Sequence, residues 1–256
     1  RDAVIFGKST VPVGTAQRLA ERADELAKDI TVEIAWNAEF LREGCAIEDT
    51  LHPDRLVLGQ TQGGKAEIVA REVYARVLAQ GTPFVVTDTA TSELVKASAN
   101  AFLATKISFI NAIAEVCAAA GADVKAVADA IGYDARIGRK YLNPGLGFGG
   151  GCLPKDIRAF VARAGEIGAA EALTFLREVD IVNMRRRTRM VELTREACSG
   201  SLLGARVAVL GAAFKPESDD VRDSPALNVA GQIQLQGASV TVYDPKANQN
   251  ARSLFP

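Results

Sequence analysis

A glycine-rich segment that leads into a cysteine carries the clearest chemical signal in the sequence. Five of the seven residues in 145–151 are glycine, and Cys152 follows directly, ahead of Pro154, Lys155 and Asp156. Glycines allow a backbone to approach a ligand closely and to present its N–H groups, and Pro154 marks the first turn of a helix. The positive end of this helix and Lys155 favour the thiolate form of Cys152. With the carboxylate of Asp156, the arrangement is typical of covalent catalysis on a carbonyl group; the alternative is a buried cysteine in a flexible turn.

Lys96 and Asn100 form the second candidate pair. They are four residues apart in an alanine-rich helical segment, so both side chains lie on one helix face. An ammonium group and an amide that project together can stabilise a developing oxyanion. The alternative is a surface lysine with an unrelated asparagine nearby.

Two further segments place polar groups where a ligand could bind. Glu39 and Glu43 are again four apart, a spacing that an ordinary helix avoids because the charges repel. One of them could act as a general base while the other contacts a cofactor. Residues 8–14 follow a predicted strand and contain the hydroxyl groups of Ser9 and Thr10. Because the carboxyl ends of strands line the ligand crevice of open α/β sheets, we expect a ligand contact here.

Phosphate-binding signals are weaker. No G-x-G-x-x-G motif follows a predicted strand, and residues 211–215 keep only the first glycine of such a motif. Lys215 could still help this loop to cradle a nucleotide diphosphate. A predicted helix contains Arg185, Arg186, Arg187 and Arg189, which we interpret as a solvated helix face, with a phosphate-binding patch as the alternative.

Composition excludes several classes of protein. The 256 residues are 48% hydrophobic and 24% charged, and the net charge of -1 excludes a strongly basic nucleic-acid-binding protein. His52 is the only histidine, which excludes mechanisms that need a histidine pair. The four cysteines form no C-x-x-C motif, so we expect no metal site. Scattered thiols without a signal pattern predict a cytoplasmic protein. The sequence has no apolar run of about 18 residues, so we expect no membrane span. From the net charge we expect no nucleic-acid partner.

The hydrophobic pattern predicts two α/β parts with helices between them. Strands are expected at residues 3–6, 30–36, 55–58 and 83–87, alternating with helices at 15–28, 37–44 and 65–78, as in a parallel sheet. Residues 91–120 contain neither glycine nor proline and predict one helix that is long enough to bridge two domains. Helices at 123–131, 154–166 and 170–198 follow, and then a second α/β unit with strands at 207–210 and 240–243 and a helix at 226–236.

The long helix also predicts an assembly. One side carries a narrow stripe of small residues, and bulky apolar residues occupy the other sides. The stripe consists of Ala101, Ala104, Ile107, Ser108, Ala112 and Glu115, and the bulky residues are Phe102, Leu103, Phe109, Ile110, Ile113 and Val116. Because a helix that is apolar nearly all round is buried, we expect a two-fold homodimer with the long helices close to the axis. The alternative is a helix buried within one subunit.

Five stretches, in this order, resemble the UDP-glucose/GDP-mannose dehydrogenase family, whose members make uronic acids from sugar nucleotides. They are residues 8–14, 37–44, 93–102 and 145–156, and residues 213–216 together with 219–225. The resemblance covers nearly the whole chain. Two departures are Ala38, where the family usually has proline, and Gly151, where serine is common before the cysteine. Neither departure removes a reactive group.

The resemblance implies a domain plan. The family has an N-terminal Rossmann-type NAD domain, a long central helix with a helical dimerisation domain, and a C-terminal Rossmann-like domain for the sugar nucleotide. Against this plan we expect residues 1–88 to be the last part of the NAD domain, 89–200 the central domain and 201–256 the start of the sugar-nucleotide domain. Most of the NAD domain and the end of the C-terminal domain would then lie outside the chain.

The resemblance also implies a four-electron oxidation of UDP-glucose to UDP-glucuronate with NAD. Cys152 would attack the aldehyde made in the first step to form a thiohemiacetal, and the second oxidation would leave a thioester for water to hydrolyse. Lys96 and Asn100 would stabilise the oxyanions, and Asp156 would assist proton transfer. Glu39 with Thr10 would orient the hydrolytic water.

Binding residues follow from the same resemblance. The expected NAD contacts are Ser9, Thr10, Glu43, Lys155 and Arg222. The expected substrate contacts are Glu39, Phe40, Leu41, Lys96, Asn100, Tyr141, Leu142, Asn143, Gly145, Gly147, Phe148, Gly149, Phe214 and Lys215. Arg136 would reach the substrate of the partner subunit.

Three alternatives stay open. The sugar nucleotide could be GDP-mannose or a UDP-N-acetylhexosamine, because pocket shape decides that choice. The chain could be a non-catalytic dimerisation fragment, because no pyrophosphate-binding motif is present. An aldehyde dehydrogenase with a catalytic cysteine is the third, but it predicts a chain plan without the long helix.

Overall fold

The computed structural model describes residues 2–254 and confirms the expected α/β class. It divides into two compact units, of which the first ends at Ala99 and the second begins at Asn100. The division into domains at 1–88, 89–200 and 201–256 stays a prediction. Each unit is described by itself.

The first unit contains a four-stranded sheet. Its strands, in spatial order, are β1 (Ala3–Gly7), β2 (Val32–Trp36), β3 (Leu56–Gly59) and β4 (Phe84–Thr87). β1 pairs with β2 and β3 pairs with β4 in parallel, as expected, whereas β2 and β3 are bridged at a single antiparallel residue pair, Trp36 with Gly59. The connection from β2 to β3 carries only the short helix α2 (Ala46–Leu51). Parallel connections usually contain a longer helix that returns the chain along the sheet.

Besides α2, three helices accompany this sheet in the described part of the first unit. α1 (Thr15–Leu26) packs on it through Ala16, which is buried with Ile34 and Trp36. α3 (Ala66–Val73) and α4 (Ala75–Leu78) replace the single helix expected at 65–78. The interruption falls at Tyr74, whose hydroxyl group donates to Asn37.

The helix expected at residues 37–44 is absent, and this prediction is wrong. The segment is irregular, and α2 begins only at Ala46. The carboxylate of Glu39 accepts the N–H of Leu41 (2.6 Å), and that of Asp49 accepts the N–H of Arg42 (2.7 Å). Such bonds give the backbone an alternative to a helix. The argument that Glu39 and Glu43 share a helix face therefore fails, and both residues lie on a loop.

The long helix α5 (Thr89–Ala120) runs through the boundary between the two units. Asp88 precedes it and accepts the N–H and hydroxyl of Thr91, which lowers the pKa of Asp88 below its usual value. Gly121 follows the helix with φ 70°, a backbone angle that suits glycine. By length and composition alone, α5 could cross a bilayer. This is weak evidence for a membrane span, because core helices of soluble proteins satisfy the same criteria.

The second unit combines helices with a small parallel sheet. After α5 come α6 (Val124–Gly132), α7 (Leu153–Glu166), a 3₁₀ turn (Ala170–Leu173) and α8 (Phe175–Ala197). The parallel strands β5 (Arg206–Leu210) and β6 (Ser239–Tyr243) flank α9 (Pro225–Leu235) in sequence, and α10 (Asn248–Leu254) follows. The helix expected at 170–198 thus begins as a 3₁₀ turn, a frequent feature at helix N-termini.

The small-residue stripe of α5 faces the interior of this unit. Ala101 and Ala104 lie in a buried cluster with Ile157 and Leu176. The hydroxyl of Ser108 donates to the carbonyl of Val179 on α8 (2.7 Å). The large apolar side chains that α5 leaves exposed in this unit are Phe102, Phe109 and Val116.

Candidate functional site

In the first unit, two loops at the carboxyl ends of β1 and β2 bring predicted site residues together. The pairing of the strands continues beyond the sheet, because Asn37 N–H donates to Gly7 O (2.8 Å) and Glu39 N–H donates to Lys8 O (3.1 Å). The loop that contains Thr10 therefore begins beside the loop that contains Glu39. Both lie at the sheet edge where ligands bind in open α/β folds.

A polar network fixes the base of these loops. The buried Asn37 donates to Val57 O (2.7 Å) and accepts from the ammonium group of Lys8 (2.8 Å) and the hydroxyl of Tyr74 (2.6 Å). Lys8 also donates to Tyr74 (2.9 Å). Lys8 thus links the starts of the two loops through its hydrogen bond to Asn37.

The start of α5 is tied to the same edge by two buried side chains that sequence reasoning missed. The two carboxylate oxygens of Glu93 accept the N–H groups of Gly14 and Ala16, both at 2.7 Å. The hydroxyl of Ser92 donates to the carbonyl of Trp36 (2.8 Å). An acidic side chain at the N-terminus of α1 is favourable because of the helix dipole. These bonds fix the helix turn that precedes Lys96.

Lys96 is buried beside an aromatic ring. Its side chain is 8% exposed, and the ammonium nitrogen lies 5.2 Å from the centre of the Phe40 ring. The guanidinium of Arg55 lies 3.8 Å from the same ring centre. The structure thus places Lys96 beside Phe40, a contact that the sequence did not predict, whereas Leu41 is an exposed side chain of the same loop.

In the second unit, Cys152, Asn100 and Asp156 form a cluster at the N-terminus of α7. Cys152 is exposed and occupies the N-cap position of this helix without a side-chain capping bond, and its carbonyl accepts the N–H of Asp156 (2.9 Å). Asp156 is buried and accepts a 2.6 Å hydrogen bond from the amide of Asn100. The ammonium group of Lys155 lies 3.4 Å from the other carboxylate oxygen. Cys152, Lys155 and Asp156 thus lie together at the helix start as expected, and the amide of Asn100, which the sequence paired with Lys96, joins them; their catalytic roles stay predictions.

The glycine-rich loop is packed differently from the expectation. A Cβ atom added to any of four of its glycines would lie 2.7 Å or less from another protein group, although at Gly151 that group is the end of the exposed, flexible Arg222 side chain. The pairs are Gly147 with the Asn183 amide, Gly149 with the Asp223 backbone, Gly150 with the Phe214 ring and Gly151 with the Arg222 guanidinium. Only Gly145, among the five, has open space. Close packing of the protein on itself therefore accounts for Gly147, Gly149 and Gly150, and the expected approach of a ligand to this loop stays a prediction.

Phe148, at the centre of this loop, is held by two residues of α8. The amide of Asn183 accepts the N–H of Phe148 (2.7 Å) and donates to its carbonyl (3.0 Å). Arg187 donates to the same carbonyl (3.2 Å) and to the carboxylate of Asp223 (2.9 Å). Arg187 is only 1% exposed, so the interpretation of all four arginines as a solvated face is wrong at this position. The spacing of four between Asn183 and Arg187 was the available signal.

The loop after β5 carries Phe214, Lys215 and Arg222. The ring of Phe214 covers Gly150, and Arg222 forms a 2.6 Å ion pair with Asp220. Asp244, at the end of β6, accepts the N–H groups of the loop residues Ala212 (2.8 Å) and Ala213 (3.1 Å), as well as those of Lys246 and Ala247. Its bonds to backbone N–H groups, that of Ala212 foremost, hold the pKa of Asp244 well below its usual value.

The remaining predicted contacts are of unequal accessibility. Leu142 is buried in a core cluster with Ile110 and Ala128, so its side chain packs the protein interior. Tyr141, with φ 67°, and Asn143, which accepts from Arg139 (2.8 Å), are exposed. Arg136 has an exposed guanidinium that is paired with Asp134 (2.6 Å), and this pairing raises the pKa of the arginine. Glu43 is half-buried.

Residues 2–254 contain no group of three or more His, Cys, Asp or Glu side chains that could hold a metal ion. All four cysteines are free thiols, and Cys152 is the exposed one. The exposed side chains of Lys155 and Arg222 in the second unit, and the hydroxyl groups of Ser9 and Thr10 in the first, are chemically suited to a phosphate-bearing cofactor such as NAD.

Three family models match successive parts of the chain. Residues 1–78 match the NAD-binding domain of the UDP-glucose/GDP-mannose dehydrogenase family, residues 90–185 match its central domain, and residues 208–256 match its UDP-binding domain. The first match confirms the prediction of NAD as the cofactor.

Curated and structurally characterised relatives agree with these matches. The chain is 45% identical over 253 residues to a UDP-glucose 6-dehydrogenase of Rhizobium meliloti (strain 1021), which covers 98% of the chain and 57% of the relative. A UDP-glucose dehydrogenase from the archaeon Pyrobaculum islandicum is 41% identical with a TM-score of 0.92, covering 99% of the chain and 57% of that structure. A UDP-D-ManNAc dehydrogenase from Pyrococcus horikoshii is 26% identical with a TM-score of 0.83, covering 95% and 57%. The chain thus spans little more than half the length of these relatives.

Proposed function

Because the chain belongs to the UDP-glucose/GDP-mannose dehydrogenase family, we propose that its protein oxidises UDP-glucose to UDP-glucuronate with NAD. The observation that carries the proposal is the cluster at the start of α7. There an exposed cysteine caps a helix, and a buried carboxylate one turn later is hydrogen-bonded to Asn100. A thiol in this position suits nucleophilic attack on an aldehyde.

The proposed reaction consists of two oxidations joined by a covalent intermediate on Cys152. NAD, when bound, accepts a hydride from the sugar carbon in each oxidation, so two equivalents are consumed. Between them the sulfur of Cys152 adds to the aldehyde carbon, and the resulting thiohemiacetal is oxidised to a thioester. Water then adds to the thioester carbonyl, and the C–S bond breaks to release the carboxylate and the thiol.

Each step builds negative charge on a substrate oxygen or moves a proton. We assign stabilisation of the oxyanions to the ammonium group of Lys96 and the amide of Asn100, both of which are buried and thus act in a medium of low dielectric constant. Asp156 would relay protons, and Glu39 with Thr10 would orient the hydrolytic water. Ser9, Glu43, Lys155 and Arg222 would contact NAD.

UDP-glucose is the favoured substrate because the relatives named for it are the more similar ones. Identities are 45% and 41% to the two UDP-glucose enzymes and 26% to the UDP-D-ManNAc enzyme. The substrate contacts that we propose on the second unit are the glycine loop, Phe214 and Lys215. GDP-mannose and UDP-N-acetylhexosamines are the alternatives.

We further propose a cytoplasmic homodimer. The support is the exposed row of Phe102, Phe109 and Val116 on α5, seven residues apart and therefore on one helix face. Bulky apolar groups in such a row are typical of protein interfaces. The four free thiols are consistent with a reducing compartment.

The proposal is tested with the whole protein by counting NADH formed per sugar nucleotide consumed. We expect two NADH per UDP-glucose, no release of free aldehyde, and much slower turnover of GDP-mannose and UDP-N-acetylglucosamine. The Cys152→Ser variant should lose net turnover, because a serine ester would hydrolyse too slowly. One NADH per substrate, or wild-type rates in this variant, would contradict the thioester route. No turnover of any sugar nucleotide would leave the non-catalytic alternative standing.

A further inference from the structure

We propose that Asn183 and Arg187 are positioning residues that preform the loop of residues 147–152 before the sugar nucleotide binds. The inference rests on the proposed function of that loop. It goes beyond it by assigning the geometry of the loop to two buried side chains of α8.

Asn183 acts on Phe148 as a neighbouring β-strand would. A side-chain amide has both a donor and an acceptor, and here it uses them on the carbonyl and the N–H of the same residue. The close approach is possible because residue 147 is glycine, where a Cβ atom would lie 2.1 Å from the amide oxygen. The positive φ of Gly147 (94°) also suits glycine alone. The loop and α8 therefore fit closely where Asn183 meets Gly147 and Phe148.

Arg187 joins Phe148 to the loop that follows β5. Its guanidinium bridges the carbonyl of Phe148 and the carboxylate of Asp223, and its Nε–H has no acceptor in the described part of the chain. The carbonyl of Arg222 in turn accepts the N–H of Gly150 (2.9 Å). A buried cation with incomplete pairing is costly, and an apolar residue would fill the space at lower cost. The presence of arginine at position 187 therefore indicates that the bridge between Phe148 and Asp223 is itself required.

A preformed loop changes how a ligand binds. If protein groups order residues 147–152, the ligand does not have to supply the free energy for ordering them. Removing the clamp should therefore weaken ground-state binding and raise KM, while kcat changes less because the reacting groups of the occupied site are unchanged. General destabilisation of the fold would not produce this separation.

The experiment compares Asn183→Ala and Arg187→Lys with a matched control in the whole protein. Ser108→Ala removes another buried hydrogen bond between α5 and α8 and touches neither loop. For each protein we would measure Tm, the Kd of UDP by calorimetry, KM and kcat for UDP-glucose, and amide exchange of residues 145–152 without ligand. Lysine at position 187 keeps the charge but cannot bridge two acceptors as the planar guanidinium does.

We expect both clamp variants to raise the Kd of UDP and the KM of UDP-glucose by about tenfold or more, with kcat within a few-fold of wild type. The amide of Phe148 should be protected in the wild type and exchange much faster in Asn183→Ala. Ser108→Ala should show neither change at a similar loss of Tm. If Asn183→Ala does not fold, Asn183→Asp, which keeps the acceptor and loses the donor, takes its place.

Three results would overturn the inference: fast exchange of the Phe148 amide in the wild type, clamp variants that bind UDP like the wild type, or a Ser108→Ala variant that matches them in Kd. A wild-type protein that protects Phe148 and binds UDP but oxidises no sugar nucleotide would instead refute the proposed function. The two failures are therefore distinguishable.

Discussion

The amide of Asn100 donates a 2.6 Å hydrogen bond to the carboxylate of Asp156, and both side chains are buried. The bond joins α5 to the first turn of α7, directly behind the cysteine at the helix start. It fixes the orientation of the amide, so that its second N–H and its oxygen have defined directions. If Asn100 is an oxyanion donor, as we propose, its second N–H is correctly oriented only while Asp156 holds the amide.

A carboxylate introduced at Asn100 should make the stability of the protein depend on pH. In Asn100→Asp two carboxyl groups would occupy the positions of this bond, and their mutual repulsion destabilises the fold when both are ionised. At neutral pH the variant should also lose about 10²-fold or more in kcat, because the amide donor is gone. As the pH falls, one carboxyl group takes up a proton and shares it with the other. This restores the bond between the two helices but supplies no second donor, so the unfolding free energy should approach that of the wild type while kcat stays low.

The matched control is Asn100→Ala, which removes the donor without adding a charge. Its kcat should be low at every pH, and its unfolding free energy relative to wild type, measured by urea denaturation, should not recover on acidification. Equal pH profiles of the unfolding free energy for the two variants would show that the groups at positions 100 and 156 do not share a hydrogen bond.

Local signals allowed parts of the fold to be predicted. The long helix was recognisable because 91–120 lacks glycine and proline, and the start of α7 because Pro154 suits a first helical turn. Cys152, Lys155 and Asp156 lie within about one helix turn, so their grouping at the start of α7 was also predictable. The contact between Asn100 and Asp156 joins two helices, and spacing alone does not give it.

Features that depend on tertiary contacts were not predictable. The helix expected at 37–44 is replaced by side chain–backbone bonds of Glu39 and Asp49, and the latter lies outside the segment. Arg187 looked like a member of an exposed arginine run, yet its partners, Phe148 and Asp223, are distant in sequence. A periodic pattern describes one helix or strand at a time, whereas these hydrogen bonds depend on how several elements pack together.

Lys96→Ala should lower kcat more than it weakens substrate binding. The ammonium group is buried beside Phe40, where it can act on charge that develops during the reaction. Loss of one such donor typically lowers kcat by about 10²- to 10³-fold. Steady-state kinetics with UDP-glucose and NAD would measure the effect, with Lys125→Ala, an exposed lysine of α6, as the control. An increase in KM at unchanged kcat would make Lys96 a binding residue.

Asp244→Asn should destabilise the protein in a pH-dependent way. The carboxylate accepts backbone N–H groups of Ala212, Ala213, Lys246 and Ala247, which an amide cannot accept equally, so we expect a loss of about 2 kcal/mol at pH 7. Because the pKa of Asp244 is depressed in the folded protein, its contribution is complete above the usual pKa of an aspartate. The contribution is lost as the pH falls through the folded-state value.

Urea denaturation at pH 7 and below pH 4 would measure this difference. The gap in unfolding free energy between wild type and Asp244→Asn should narrow at the lower pH. Asp24→Asn, at an exposed position of α1, serves as the control and should show almost no gap at either pH. If the difference in unfolding free energy between wild type and Asp244→Asn were the same at both pH values, the charge of the carboxylate would not be what stabilises its contacts with the four N–H groups.

A mixed dimer tests whether Arg136 acts on the neighbouring subunit. Its guanidinium is 89% exposed and is held by Asp134 alone among the described residues, so it is free of the interior of its own unit. We would combine one Arg136→Ala subunit with one Cys152→Ser subunit and separate the mixed dimer by two different affinity tags. If Arg136 acts across the interface, one site has both defects and the other has neither, and about half of the wild-type activity should remain. If it acts within its own subunit, each site carries one defect and activity should be near zero. A protein that stays monomeric at micromolar concentration would contradict the dimer itself.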